Sequence, residues 1–192
     1  MMDSKILFAS LDLPMNPLRP NVVWPTPQVN QVKRIDADAI TDEMQTIIRD
    51  LGLTVDVLLL WTWNPVPNDE IYHIHTDGHY TNNPRHVAIN WLIEGNSAVE
   101  WFSRAGAKPN LIFKQNVFPV TVWNYTESTP QLIGSWQGQR PALLSIQQPH
   151  RVRVISQNTP RRSITMRFLP NLNIDNMIEK LGKRVIKINE EY

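Results

Sequence analysis

Eight short runs of β-branched and aromatic residues follow one another between Val55 and Phe168, and each is closed off by proline, asparagine, glycine or serine. They are VDVLLLWTW (55–63), IYHIHTD (71–77), HVAINWLIE (86–94), AVEWFS (98–103), NVFPVTVWNYT (116–126), ALLSIQ (142–147), HRVRVIS (150–156) and RSITMRF (162–168). Such residues suit the pleated, half-buried surface of a sheet, and the punctuating residues cut the chain into separate strands. Fifteen prolines against seven glycines reinforce the reading. Proline is excluded from helix interiors and central strands, so it marks stiff connections between strands. The expected class is mainly β, a two-sheet jelly roll with supporting helices, and not an alternating α/β sheet.

The remaining segments frame that core. Prolines at 14, 17, 20, 25 and 27 make residues 11–30 an extended covering loop, preceded by a short strand over Lys5 to Ser10. Ile40, Met44, Ile47, Ile48 and Leu51 recur at helical spacing and predict a helix over about 38–51, closed by Gly52. Ile174, Met177, Ile178 and Leu181 predict a second helix over about 174–183. A chain of 192 residues with 42% apolar and 19% charged content fits one domain, residues 1–192, with its core over about 55–170. No stretch has the length of a membrane span, and the apolar run at Ile6 to Ala9 is too short for a secretory signal, so a cytosolic protein is expected. A net charge of +1 provides no general attraction to nucleic acid or membrane.

There is no cysteine, so any bound metal must be held by imidazole and oxygen. Three of the five histidines, His73, His75 and His79, fall within EIYHIHTDGHY beside Asp77. In a regular strand His73, His75 and Asp77 point to one face and Ile74 and Thr76 to the other. A His-x-Asp pair offers one nitrogen and one oxygen, and a third ligand must come from a neighbouring strand. His150 heads such a strand, and it is followed by a turn (Gln157 to Pro160) and a return strand opening with Arg161-Arg162-Ser163. Two histidines and a carboxylate form a facial triad that leaves one side of an octahedral ion open, the arrangement suited to non-haem Fe(II). Alternation puts Arg161, Ser163, Thr165 and Arg167 on one face of the return strand, with Arg162, Ile164, Met166 and Phe168 on the other. An arginine with a serine two residues on can receive a carboxylate.

His75-Thr76-Asp77, His150 75 residues later and Arg161-Arg162-Ser163 occur in the order found in the Fe(II)/2-oxoglutarate-dependent oxygenases, which the chain resembles from about residue 55 to 170. The PHRV start of the distal strand and RRSITMRFLP after it belong to the same resemblance. It implies a double-stranded β-helix core, with His75, Asp77 and His150 as ligands of Fe(II). Arg161 and Ser163 would hold the far carboxylate of 2-oxoglutarate, with Arg162 as the alternate. It also implies O2 as co-substrate, release of succinate and CO2, and hydroxylation of a C–H bond in a small-molecule or peptidyl substrate.

Two other classes stay open. One is a cupin-type metalloenzyme independent of 2-oxoglutarate, using His73, His75 and His150; the other is a β-sandwich binding module without catalysis. Asn90, Arg85, His73 and Trp63 are candidates for supporting or substrate contacts. Arg151, Arg153, Arg161, Arg162 and Arg167 would share one hairpin as a basic strip. No aromatic residues interleave them, which argues against a nucleic-acid partner. No motif names the substrate or an oligomeric state.

Overall fold

The computed structural model describes residues 5–26, 31–64, 73–79, 83–84, 86–114, 119–126, 128–155 and 158–189. Its strands are β1 (Phe8–Leu11), β2 (Gln31–Arg34), β3 (Thr54–Trp63), β4 (His75–His79), β5 (Asn83–Pro84), β6 (Val87–Glu94), β7 (Ser97–Phe102), β8 (Lys108–Lys114), β9 (Pro119–Asn124), β10 (Leu132–Trp136), β11 (Ala142–Ser145), β12 (His150–Val154), β13 (Arg161–Leu169) and β14 (Val185–Ile188). Two helices, α1 (Asp42–Asp50) and α2 (Ile174–Leu181), complete the described elements apart from short 3-10 turns.

The strands form two antiparallel sheets. One runs β14-β1-β11-β6-β13-β3-β2; the other runs β10-β7-β12-β4-β9-β8, with β5 paired to β4. From β3 onward the chain crosses repeatedly between them: β3, β6, β11 and β13 belong to the first sheet, and β4, β7 to β10 and β12 to the second. That winding is a double-stranded β-helix, as the resemblance implies. Gly95, at φ 82°, makes the turn from β6 to β7. A Cβ there would stand 2.8 Å from the Pro160 carbonyl oxygen, so the two crossings are packed backbone to backbone.

Each face of the first sheet has its own partner. Leu58, Leu60, Ile89, Trp91, Leu143, Ile164, Met166 and Phe168 pack with Ile40, Met44, Ile47, Ile48 and α2's Met177 and Leu181 into one core. This is the ordinary core face foreseen for Ile164, Met166 and Phe168. A smaller cluster lies between the sheets, where Phe8 stacks on the fully buried Trp101 at 5.6 Å. The Trp101 indole N–H is satisfied by the Ser145 carbonyl at 2.8 Å. Burying such a side chain contributes about 1.5–3 kcal/mol, and this cluster closes one end of the space between the sheets.

Several sequence expectations require correction. The first helix begins at Asp42 and not near 38, because Thr41 caps it by accepting from the Met44 N–H, while Ile40 is extended and bridges Leu18. Residues 150–169 are not a hairpin. β12 and β13 lie in different sheets, so the segment between them is a crossover. The proposed basic strip dissolves with it: Arg151 and Arg153 both pair with Glu100, at 2.8 and 2.5 Å, and Arg162 pairs with Glu94 at 3.0 Å. No helix among the described residues is long and apolar enough to cross a membrane.

Candidate metal centre

β4 lies between β12 and β9, and its register places His75 opposite both His150 and Val122. The chain thereby brings a histidine 75 positions downstream against the His-x-Asp pair. The ligand atoms of His75, Asp77 and His150 all lie within 4.8 Å of one another, the one such group of three among the described residues. The two imidazole rings are 4.6 Å apart, centre to centre. Asp77 and His150 are buried and His75 is partly so. Gly78, at φ 83° within β4, follows Asp77 directly in a backbone conformation that disfavours any side chain.

Both imidazoles are set by the backbone. His75 Nδ1–H donates to the His73 carbonyl at 2.8 Å, and His150 Nδ1–H donates to the Gln148 carbonyl at 2.9 Å. Each ring therefore carries its free lone pair on Nε2, and His75 Nε2 stands 3.5 Å from Asp77 Oδ1. The second carboxylate oxygen, Oδ2, accepts from Arg167 Nη2 at 2.5 Å. This ion pair joins β4 of one sheet to β13 of the other. Two neutral imidazole nitrogens and a carboxylate oxygen are the donor set that a divalent transition metal takes, and the residues present fit it.

Electrostatics sharpen the site. Burial opposes charge on Asp77, but Arg167, helped by His75 and His150, outweighs it and holds the carboxyl well below the usual carboxylate range. Burial alone would lower the His75 pKa. The Asp77 carboxylate and the His73 carbonyl overcome it and raise the value above 6.5. His150 is pushed down to about 4 by burial and by the facing His75. A metal must therefore displace a proton from His75 as pH falls through its raised pKa, whereas His150 is already neutral above about pH 4. Metal affinity is expected to drop with falling pH through the His75 transition, with close to one proton released per ion below it. Calorimetry in buffers of different ionisation enthalpy counts that proton, and a release of two would contradict the assignment.

The other candidates divide clearly. Arg161 is buried on the inner face of β13, donating Nε–H to Ser97 Oγ at 2.8 Å with its guanidinium 4.7 Å over the Trp63 ring. Trp63 thus packs under Arg161 and meets Trp61 edge-on at 5.6 Å. Arg162 turns to the opposite face, toward Glu94 and 5.9 Å over Trp24. Ser163 Oγ and Asn90 Oδ1 are buried with no hydrogen-bond partner among the described residues. Asn90 is the register partner of Thr165, whose hydroxyl accepts from Trp61 Nε1–H at 3.0 Å. The inner face of β13 is therefore a polar row, Arg167, Thr165, Ser163 and Arg161, with steps of roughly 6.6 Å. His73 is exposed and serves the site through its carbonyl; it is not in the cluster, so the His73-His75-His150 set does not form. His86 bonds Gln147 Oε1 at 2.7 Å. Arg85 lies outside the described residues.

Sequence reading missed Arg167 as a partner of the site. Strand alternation placed it on the same face as Arg161, but nothing in the spacing linked it to Asp77, 90 residues earlier.

No protein-family model and no curated protein sequence matches the chain. Among solved structures, the vicilin of hazelnut, Corylus avellana, is similar with a TM-score of 0.34 and 14% identity over 80% of this chain and 35% of its own. The Fe(II) form of HppE is similar with a TM-score of 0.30 and 12% identity over 80% of this chain and 65% of its own. The Solanum melongena vicilin gives 0.35 and 15%, over 83% of this chain and 36% of that one. The chain thus spans about a third of the vicilins and just under two thirds of HppE. Likeness at this distance carries no functional argument, and the fold assignment stands on the strand order.

Proposed function

We propose that the protein is a non-haem Fe(II)- and 2-oxoglutarate-dependent dioxygenase that hydroxylates a C–H bond of a small-molecule or peptidyl substrate. The observation that carries this reading is the convergence of His75, Asp77 and His150, with two Nε2 atoms and one carboxylate oxygen offered toward a common point. That donor set leaves one side of a six-coordinate ion open for a chelating co-substrate and O2.

Charge supports an anionic co-substrate. Asp77 and Arg167 cancel, so a divalent ion brings two uncompensated positive charges into a buried site. The buried Arg161 carries a third positive charge, so a dicarboxylate dianion offsets most of this charge, and buried charge is tolerated only when it is paired. The polar row of β13 supports an orientation, with the keto-acid end toward the triad and the far carboxylate toward Ser163 and Arg161. When bound, iron and 2-oxoglutarate supply the oxidation, using O2 and releasing succinate and CO2. The chain's own part is to hold the three donors, pair the far carboxylate with a guanidinium, and keep the reacting space between the sheets dry.

A thermal-shift titration with Mn(II), with and without 2-oxoglutarate, tests the reading. At a hundredfold excess over Kd a ligand adds about 2.7 kcal/mol, a rise of roughly 5–10 °C for a chain of this size. Metal is expected to stabilise, and 2-oxoglutarate to add a further rise only when metal is present. Metal stabilisation indifferent to 2-oxoglutarate would favour a cupin-type metalloenzyme. No metal effect, with His75→Ala unchanged, would leave a binding module.

A further inference from the structure

We infer that Arg167 is a positioning residue for the metal centre: by holding one oxygen of Asp77, it turns the other toward the two imidazoles. This rests on the reading of His75, Asp77 and His150 as metal ligands. The Asp77 carboxylate has two oxygens with different partners, Oδ2 bonded to Arg167 at 2.5 Å and Oδ1 facing His75 Nε2 at 3.5 Å. An aspartate alone rotates about its terminal bond and can present either oxygen, or both, to a cation. A guanidinium fixed to one of them removes that freedom and leaves a single oxygen for the metal.

Arg167 is itself well fixed. It is 2% exposed, on an interior strand of the first sheet, paired with Val57 of β3 one residue beyond the end of the ladder with β6. The β3–β13 ladder slips immediately after it: Arg167 faces Val57, but Phe168 faces Val55. The extra residue is Asp56 of β3, so the bulge bends the strand against which Arg167 is paired. Here the irregularity adjoins the one arginine that reaches across to Asp77. The Ile164, Met166 and Phe168 side chains meanwhile keep their places in the helix-facing core.

The rival role is that of a counter-charge, which keeps the buried carboxylate tolerable and which a metal supersedes. The two roles differ in the sign of one measurement. If Arg167 is only a counter-charge, Arg167→Met removes a cation beside the site, and a divalent ion binds as well as before or more tightly. If it positions Asp77, the same change weakens binding even though a repulsive charge has gone.

The experiment is a Co(II) titration of the full chain, followed by visible d–d absorption, on wild type, Arg167→Met and Arg167→Lys. The expected result for Arg167→Met is a ten- to a hundredfold loss of Co(II) affinity, the range for partners that orient metal ligands, with an altered band shape. Arg167→Lys keeps the charge and one donor but not the planar fork, and should fall between the two. Equal or tighter Co(II) binding by Arg167→Met with an unchanged band would overturn the proposal and leave the metal site intact. Should Arg167→Met fail to fold, an Arg167→Lys variant that matches wild type in affinity and spectrum would overturn it equally. Failure of the wild type to bind Co(II), with His150→Ala indistinguishable from it, would overturn the metal reading and this proposal together.

Discussion

Asp77→Ala is expected to destabilise the fold and abolish metal binding together, the largest effect of any single change considered. The side chain is buried and bonded to an equally buried Arg167. Removing one partner strands the other charge between the sheets, at a cost of about 3–5 kcal/mol. Denaturant unfolding should show that loss, and Mn(II) should no longer raise the midpoint. The double variant Asp77→Ala/Arg167→Met separates the two consequences. With both charges gone, most of the lost stability should return, whereas metal binding should not. A double variant as unstable as Asp77→Ala would mean that the carboxylate supports the fold through something other than Arg167.

Arg161→Ala is expected to leave Mn(II) affinity unchanged and to weaken 2-oxoglutarate binding to the metal-loaded protein by about thirtyfold or more. Truncating one member of a desolvated charge pair costs about 2 kcal/mol at the least. Arg162→Ala is the control, because its guanidinium faces Glu94 on the other side of β13 and should change neither affinity. Calorimetric titration of 2-oxoglutarate into each Mn(II)-loaded variant measures the contrast. Equal weakening by the two substitutions would show that the inner face of β13 does not hold the co-substrate.

Much of this site could be read from the sequence because its parts are periodic. Two-residue alternation put His75 with Asp77 and Arg161 with Ser163; the first two have ligand atoms close together, and the second two are both buried on β13. Alternation also assigned Ile164, Met166 and Phe168 to the core that the helices cover. What escaped was the information about which sheet a strand joins. Turn residues after Val154 mark a reversal, but a hairpin and a crossover carry the same local signal. Only the packing of the two sheets separates β12 from β13 and carries Arg167 across to Asp77. Strands β8, β10 and β14 were missed for local reasons. Pro109 and Gly134 interrupt the first two at points where their ladders shift register, and Val185–Ile188 is a four-residue edge strand with little apolar contrast. Ile40 misled in the other direction, since it fits the helical stripe of α1 but packs from an extended segment.

The most direct measurement is the anaerobic visible difference spectrum on adding 2-oxoglutarate to the Fe(II)-loaded protein. A keto acid chelating iron held by His75, Asp77 and His150 should produce a new charge-transfer band. The band should be absent in His150→Ala, weakened in Arg161→Ala, and lost on admitting O2 as succinate is formed. Iron bound one-to-one with no spectral change on adding 2-oxoglutarate would contradict the proposed co-substrate. Iron bound equally well by His150→Ala would contradict the site itself.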